Sequence, residues 1–538
     1  MSLYLYNDQV IVREPLKDRP KKSKLTRIFY DDIVGAKRST KNPLSVTVWL
    51  FPRVFVDCCG CATDKSTRRV LNSMPFFCES LKEVRELVGS LNDAAESRPI
   101  QVEYDEMPTP RKLLVIINPF SGRRRAPVAW NQAKVILEKG NIDMEVVETT
   151  HAKHGFQLAQ RVDPEVYDGI VVVSGDGLVH EVVNGLFTRE DKQEAAIRMP
   201  LGHIPGGTSN GLTKSLLDYA GETYNVENAA FLIAKGQTRK IDITRIRRDG
   251  GGVPIYSFLG VQWAGISDID LESEVLRCCG FLRYYVWSLW RVMARRSYRM
   301  RFHYVGQQIK SNQEQRVKSV DLDDPLKIDQ KQLDEKLKMA TVEPSIEEEK
   351  GKPVRANSFG EENRKSTGGE EEGKLEGDPT GKYRLHSLRD WQQIQKDCHI
   401  FSMQNLPFLT KDTKQAPLAD LDDGFNDLII QESRVGRCQF ANYLLKMDKG
   451  DYFTNTGRLN PSLGLEYYKV KEWKLEPIDV RKKPVNVETE GMKALMGEDR
   501  PPSFNERGHG FFSIDGEKYQ CSTIYGEVMR EALNVFCL

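Results

Sequence analysis

The sequence predicts a β-rich N-terminal unit, then an α/β domain, then a second β-rich domain. Short alternating apolar segments fill residues 1–100, which is a strand pattern. From Lys112 onward, apolar runs alternate with glycine turns and helical patterns, as in a parallel sheet covered by helices. After about residue 237 this alternation weakens and short strand-like runs dominate. The length of 538 residues also favours several domains over one core.

Composition excludes several classes of function. The net charge of +1 gives no sign of a nucleic-acid partner. No segment approaches the roughly 18 to 20 apolar residues of a spanning helix, and the N-terminus lacks a secretory pattern. We therefore expect a cytoplasmic protein with reduced cysteines. Zinc binding by Cys58, Cys59 and Cys61 is disfavoured because no second ligand pair accompanies them, and palmitoylation of these cysteines stays open.

The first domain, residues 1–100, combines strand-like segments with one amphipathic helix at its end. Apolar residues at helical spacing, from Leu81 to Leu91, mark this helix. Strands followed by a closing helix are similar to a pleckstrin-homology-like module. A polar joint containing prolines then leads to the α/β domain, which we place at residues 108–236.

A charged insertion interrupts the second β-rich domain, which we place at residues 237–538. Residues 306–395 are rich in charge and glycine and almost free of aromatic side chains. Such a segment buries too little surface to offset its ordering entropy, so we predict disorder. Strand-like sequence resumes after it, which indicates that the insertion loops out of the domain.

Three glycine clusters follow predicted strands of the α/β domain. They are NPFSG at Asn118–Gly122, SGDG at Ser174–Gly177 and PGGTSNG at Pro205–Gly211. Glycines let backbone amides approach phosphate oxygens, and a following helix adds favourable partial charge. Neither a Walker loop nor a GxGxxG motif is present. A different solution to nucleotide binding is therefore predicted.

Asp176 lies between two glycines at the end of a buried strand. Phosphoryl transfer requires a group that orients or deprotonates the acceptor hydroxyl, and a carboxylate beside phosphate-binding amides meets that need. The alternative role is that of a helix-capping aspartate. Gly175 and Gly177 favour the catalytic role, because a cap would not require space on both sides.

The motifs resemble a known catalytic domain. SGDGLVHEVVNGL, with NPFSG before it and PGGTSNGL after it, is similar to the domain shared by diacylglycerol, ceramide and sphingosine kinases. The similarity continues through WAGISDIDLESEVLRCCGFLRYYVW, KMDKGDYF and FFSIDGEKY. HEVVNGL and DIDLESE favour a sphingosine (long-chain base) kinase over its relatives.

The resemblance implies a lipid kinase with ATP and Mg2+ as cofactors. It would transfer the γ-phosphate to the primary hydroxyl of sphingosine or a related long-chain base, giving sphingosine 1-phosphate. The second domain would then be an antiparallel β-sandwich that binds the lipid. The alternatives are a ceramide or diacylglycerol kinase, and a non-catalytic lipid-binding regulator. The sequence identifies no metal ligands and no oligomeric state.

The resemblance also implies roles for individual residues. Asp176 would be the catalytic base, and Asp270 would bind the protonated amine of the lipid, with Asp268 as the near alternative. The remaining contacts to the lipid head would come from Ser174, Gly175 and Gly177. The nucleotide contacts would come from Asn118, Pro119, Phe120, Thr149, Thr150, His151, Ala152, Lys153, Glu181, Gly207, Thr208, Ser209, Arg277, Arg283, Asp515, Gly516 and Glu517. Thr208-Ser209 and Thr149–His151 depart from the residues common in sphingosine kinases.

An amphiphilic substrate implies transient contact with a membrane. The segment RYYVWSLWRVMARRSYRMRF joins aromatic side chains to arginines at helical spacing. It would line a lipid entrance or touch an anionic membrane surface, which makes the protein peripherally membrane-associated. Core packing with arginines that extend to solvent is the alternative.

Overall fold

The computed structural model describes residues 2–5, 9–16, 19–56, 66–101, 103–273, 275–276, 282–310, 391–478 and 510–538. The cysteines at 58, 59 and 61, Arg277 and most of the predicted insertion lie outside these residues. Predictions for those positions therefore stay predictions.

The strands and helices follow in chain order. The strands are β1 (Ser2–Leu5), β2 (Gln9–Leu16), β3 (Arg19–Phe29), β4 (Ile33–Arg38), β5 (Ser45–Leu50), β6 (Arg53–Val56), β7 (Ser66–Arg69), β8 (Asn72–Phe77), β9 (Arg111–Ile117), β10 (Ile142–Glu148), β11 (Gly169–Ser174), β12 (Leu201–Pro205), β13 (Thr238–Arg248), β14 (Ile255–Ser257), β15 (Gly260–Ala264), β16 (Tyr298–Ile309), β17 (Gln392–Gln404), β18 (Asn426–Glu432), β19 (Leu465–Ile478), β20 (Phe511–Ile514), β21 (Glu517–Gln520) and β22 (Ile524–Phe536). The helices are α1 (Leu81–Ala95), α2 (Ser121–Arg124), α3 (Ala126–Leu137), α4 (His154–Arg161), α5 (Asp176–Phe187), α6 (Lys192–Arg198), α7 (Gly211–Tyr219), α8 (Val226–Lys235), α9 (Gly265–Glu272), α10 (Leu282–Met293) and α11 (Arg437–Lys446). Within the described parts of the chain, no helix has the length and apolar character needed to cross a bilayer.

Four parallel strands form the predicted α/β sheet in the order β10-β9-β11-β12. β11, with the sequence GIVVVS, is buried along its whole length, as expected for a central parallel strand. Its β-branched side chains fit the pleated surface that helices cover on both faces. The carboxyl ends of β9, β11 and β12 lead directly into the three glycine clusters. The predicted strand and helix alternation is therefore confirmed.

The last strand of the chain joins the parallel sheet to the rest of the molecule. β22 pairs in parallel with β12 and antiparallel with β13 and β19. Through β22 the parallel strands continue into antiparallel strands, so one mixed sheet of 14 strands runs through both. The sequence did not predict this shared strand.

The antiparallel strands enclose a second hydrophobic core around Trp263, Phe302 and Trp473. β16 and β17 flank the predicted insertion and pair directly with each other. Residues 306–309 and 392–395 belong to these strands, so the predicted insertion was too long at both ends. These strands belong to the large mixed sheet of β9 to β22, and the β-sandwich description stays a prediction.

The N-terminal unit is β-rich and carries α1 as predicted. Ser80 caps α1, since its Oγ accepts a hydrogen bond from the Glu83 amide at 3.2 Å. The unit packs on α8 and on the connection before it through polar contacts that are buried. Lys235 donates to the Tyr30 carbonyl at 2.8 Å, and Arg69 pairs with Glu222 at 2.8 Å.

Candidate active site

A cavity of about 900 Å3 opens at the carboxyl ends of the parallel strands. Its wall continues over α9, α10, α11 and the turn between β20 and β21. The predicted site residues that line it are Asn118, Phe120, Ser174, Gly175, Asp176, Gly177, Glu181, Gly207, Thr208, Ser209, Asp270, Arg283, Asp515, Gly516 and Glu517. Those among the described residues that are not part of its wall are Pro119, Thr149, Thr150, His151, Ala152 and Lys153.

The three glycine clusters contact one another through their backbones. A Cβ atom on Gly207 would overlap the Cα atom of Gly175. Gly122, at φ +56°, lies so close to Gly206 that a Cβ atom would overlap the Gly206 carbonyl oxygen. The Gly175 amide also donates to Ser121 Oγ at 3.1 Å. Gly175 therefore lets two turns meet, and it also lines the cavity.

Asp176 is the first residue of α5 and is 5 % exposed. Its Oδ2 accepts from the Gly211 amide at 2.9 Å and its Oδ1 from the Leu212 amide at 3.3 Å. Both amides belong to the first turn of α7, whose partial positive charge favours a carboxylate. Burial nevertheless raises the pKa of Asp176 to about 6, against the lowering effect of these hydrogen bonds.

This arrangement combines the two roles considered for Asp176. The side chain caps α7, which holds the carboxylate in one orientation, and it also lines the cavity. A carboxylate with a pKa of about 6 is mostly ionised at neutral pH and is more basic than an exposed aspartate. These are the properties of a general base.

Asp515 anchors the turn between β20 and β21. Its Oδ1 accepts from Ser257 Oγ at 2.7 Å and from the amides of Leu259 and Gly260 at 2.9 and 3.0 Å. Its Oδ2 lies 2.7 Å from His180 Nδ1 on α5. Protein groups thus hydrogen-bond both oxygens of this carboxylate, and Gly516 and Glu517 line the cavity beside it. His180 thus links α5 to this turn through a hydrogen bond.

Glu181 organises the turn at residues 149–153, for which nucleotide contacts are predicted. Its Oε1 accepts from the Lys153 amide at 3.0 Å and its Oε2 from the Gly155 amide at 3.1 Å. Since Glu181 lines the cavity and the turn does not, the turn lies behind this carboxylate. The predicted nucleotide contacts of residues 149–153 stay a prediction.

The third glycine cluster is held by hydrogen bonds within its own turn. The Gly207 amide donates to Asn210 Oδ1 at 3.0 Å, and Asn210 Nδ2 donates back to the Gly207 carbonyl at 2.9 Å. The Gly207 amide is thus engaged within the turn. Thr208 and Ser209, which also line the cavity, are the residues of the predicted trio left to bind phosphate.

The two candidate carboxylates for the lipid amine occupy different environments. Asp268 is buried, accepts from Tyr298 at 2.6 Å and lies 3.4 Å from Arg291. Burial raises its pKa to about 6, and it is not part of the cavity wall. Asp270 lines the cavity, is half-buried and accepts from Ser513 Oγ at 2.8 Å. The geometry favours Asp270 over Asp268.

Arg283 is 8 % exposed, lines the cavity and donates to the Tyr284 hydroxyl at 2.6 Å. The cavity wall beyond it is apolar. The apolar side chains are Leu259, Ile266, Ile269, Leu289, Val292, Leu409, Leu444, Leu445 and Met447. The cavity therefore has polar walls near the glycine clusters and an extension suited to a hydrocarbon chain.

Sequence reasoning missed Ser513 and Gln262, which also line the cavity. One signal was available, since Gln262 is the polar residue in the otherwise apolar strand GVQWA. Among the described residues, no group of three or more His, Cys, Asp and Glu side chains is placed to hold a metal ion.

The comparison with protein families matches residues 112–246 to the diacylglycerol kinase catalytic domain. This range contains all three glycine clusters and Asp176. The chain is thus similar to the lipid kinases that share this domain, and the resemblance predicted from the motifs is confirmed.

Individual relatives extend the similarity beyond this domain. Sphingosine kinase 1 of Arabidopsis thaliana is 31 % identical over 68 % of this chain and 64 % of its own length. Sphingoid long chain base kinase 4 of Schizosaccharomyces pombe is 27 % identical over 71 % of each chain. Sphingosine kinase 2 of Homo sapiens is 31 % identical over 38 % of this chain and 32 % of its own length. The chain thus spans less than two thirds of the plant relative and about a third of the human one.

Proposed function

We propose that this protein is an ATP-dependent kinase that phosphorylates the primary hydroxyl of sphingosine or a related long-chain base. The observation that carries this proposal is one cavity that holds Asp176, Asp270 and an apolar extension. A base for the hydroxyl, a carboxylate for the amine and room for the hydrocarbon chain are the three features that such a substrate requires.

Asp176 accepts the proton of the primary hydroxyl. The α7 amides hold its carboxylate in place, so no reorientation is needed before the proton moves. Asp270 binds the protonated amine, and this contact selects against lipids that lack a charge at that position. Ser513 orients the Asp270 carboxylate through its hydroxyl.

ATP supplies the transferred phosphoryl group. The residues present fit a polyphosphate, because Thr208 and Ser209 of the third glycine cluster and the cationic Arg283 line the same cavity. Asn118, Phe120, Thr208, Ser209, Gly516 and Glu517 complete the proposed nucleotide contacts. We propose that Mg2+ is held mainly through the nucleotide phosphates and water, in keeping with its reluctance to dehydrate.

The proposed division of labour follows the three parts of the chain. Residues 108–236 bind the nucleotide and provide the base, and residues 237–538 bind the lipid as a β-sandwich. Residues 1–100 form a pleckstrin-homology-like unit. The buried pair of Arg69 and Glu222 supports a fixed position of this unit on the kinase.

α10 forms the proposed contact with an anionic membrane. An exposed stripe runs along one face of this helix at the spacing of successive turns, and its members are Leu282, Tyr285, Val286, Leu289, Trp290 and Met293. Tyr285 and Leu289 also line the cavity, so the stripe borders the apolar extension. An exposed apolar helix face at a lipid pocket suits peripheral membrane association better than the alternative of core packing.

Two other functions compete with this proposal. A ceramide or diacylglycerol kinase would use Asp176 in the same way but would not need Asp270. A non-catalytic lipid-binding regulator would need neither side chain. The lining of one cavity by both carboxylates favours the long-chain base kinase.

The test is transfer of labelled phosphate from ATP with Mg2+ to sphingosine, ceramide and diacylglycerol in mixed micelles. We expect sphingosine to be phosphorylated on its primary hydroxyl, and the neutral lipids to react much more slowly. Faster reaction of either neutral lipid would contradict the proposed substrate. No transfer to any of the three would favour the regulator.

A further inference from the structure

Gln262 is a buried polar residue on an otherwise apolar strand. Its neighbours in β15, Val261 and Trp263, are at most 1 % exposed and belong to the core of the antiparallel strands. Successive side chains of a strand point to opposite faces, so Gln262 points away from this core. Gln262 is 3 % exposed and lines the cavity.

The register of the sheet places Gln262 next to the proposed amine-binding carboxylate. On β20, Ser513 is the direct cross-strand partner of Gln262. The Ser513 hydroxyl donates to Asp270 at 2.8 Å. Directly opposed residues of neighbouring strands have Cβ atoms about 5 Å apart. Gln262 therefore lies beside Ser513, the residue that contacts Asp270, on the same wall of the cavity.

The amide of Gln262 is not satisfied by the protein. Neither its Oε1 nor its Nε2 has a hydrogen-bond partner among the described residues. Buried amides are nearly always paired, because leaving one unpaired costs free energy. A donor and an acceptor that are both buried and unpaired at a cavity wall indicate a ligand group that both accepts and donates.

We propose that Gln262 determines substrate specificity by binding the secondary hydroxyl of the long-chain base. This inference rests on the proposed function, in which Asp270 binds the amine. In a long-chain base the secondary hydroxyl is on the carbon next to the amine-bearing carbon. A hydroxyl donates one hydrogen bond and accepts others, so it matches the carbonyl and the NH2 group of Gln262. A site built to pair a hydroxyl discriminates strongly against an analogue that lacks it.

The test compares sphinganine with its 3-deoxy analogue, which keeps the amine and the primary hydroxyl. We expect the wild-type protein to prefer sphinganine by at least about tenfold in kcat/KM. In Gln262→Met, which has a similar volume, the preference should fall to within about threefold. The loss should fall on sphinganine alone, with kcat/KM for the 3-deoxy analogue unchanged. Gln262→Leu should behave in the same way.

Gln404→Met is the matched control. Gln404 is also a fully buried glutamine, on the neighbouring strand β17, but it is not part of the cavity wall. We expect this variant to keep the wild-type preference for sphinganine.

Thermal denaturation gives a readout that does not depend on turnover. The melting temperature of Gln262→Met should be no lower than that of the wild type, because its amide has no protein partner to lose. Sphinganine should raise the melting temperature of the wild type more than that of the variant.

An unchanged preference in both Gln262 variants would overturn the inference. A lower melting temperature with equal losses on the two substrates would also overturn it, since Gln262 would then be a structural residue. Absence of phosphorylation of either base by the wild type would instead reject the proposed function.

Discussion

The two carboxylates of the cavity are held in different ways. Asp176 is buried at the edge of the parallel strands, and two backbone amides of α7 fix it. Asp270 is half-buried on α9, beside the antiparallel strands, and a serine side chain orients it. Backbone amides are present whatever the sequence, whereas Ser513 can be exchanged by a single mutation. The difference indicates that the proposed phosphoryl-transfer chemistry depends on the fold, while the proposed substrate choice depends on replaceable side chains.

The largest effect is expected at the Asp176 end of the cavity. Asp176→Asn should lower kcat on sphingosine about 100- to 10,000-fold, because an amide cannot accept the proton of the hydroxyl. The protein should stay folded, since the amide oxygen can still accept from α7. The measurement is kcat at saturating ATP, together with a thermal denaturation curve.

Asp168→Asn provides the control for Asp176→Asn. Asp168 lies at the opposite end of β11 and also accepts from a backbone amide, that of Lys112, at 2.7 Å. Its replacement should leave kcat close to that of the wild type. Retention of more than a tenth of the wild-type kcat in Asp176→Asn would remove Asp176 from the mechanism.

The pH dependence of kcat/KM should also be determined by Asp176. The raised pKa of Asp176, about 6, means that the base is lost as the pH falls through that value. We expect kcat/KM for sphingosine to fall about tenfold for each pH unit below 6 and to level off above it. Asp268, whose pKa is also raised to about 6, lies outside the cavity, so Asp268→Asn should keep this profile. A midpoint near pH 4 would show that burial does not tune the base.

The smallest effect is expected from a change in the proposed membrane contact on α10. Trp290→Gln should weaken binding to anionic vesicles about tenfold or less, because Trp290 is 57 % exposed on the apolar stripe of α10. Turnover of sphingosine in detergent micelles should change by less than about twofold, since Trp290 does not line the cavity. Vesicle sedimentation measures the binding.

Val253→Gln is the control for Trp290→Gln. Val253 is 68 % exposed, and it lies in the connection between β13 and β14, outside α10. It should leave vesicle binding unchanged. Equal losses in the two variants would place the membrane contact elsewhere.

The sequence predicts the parts of the fold that depend on local patterns. Runs such as GIVVVS, followed by glycine turns, specify buried parallel strands and the loops at their ends. It does not predict that β22 joins the two halves, because pairing between residues 201 and 535 leaves no local signature. The description of residues 1–100 as pleckstrin-homology-like and that of residues 237–538 as a β-sandwich depend on the order of the elements. Both remain predictions.

The candidate site, like the fold, is predicted only in part by the sequence. The sequence identifies Asp176 and the glycine clusters, because residue type and spacing determine their chemistry. It cannot show that Ser257 and His180 hydrogen-bond the Asp515 carboxylate, since these contacts join distant segments. The sequence also does not decide whether Asp268 or Asp270 binds the lipid amine. Arg291 and Tyr298 contact Asp268 only in the folded protein.

Asp270→Asn tests the central claim most directly, since that claim assigns chemistry to Asp176 and substrate choice to Asp270. The measurement is kcat/KM for sphingosine and for its N-acetyl derivative, which lacks the positive charge. We expect Asp270→Asn to lose about 10- to 100-fold on sphingosine, because a hydrogen bond to a charged group is lost, and to lose nothing on the neutral lipid. Asp268→Asn, two residues away on the same helix, should leave the ratio of the two values unchanged. An unchanged ratio in Asp270→Asn would contradict the account.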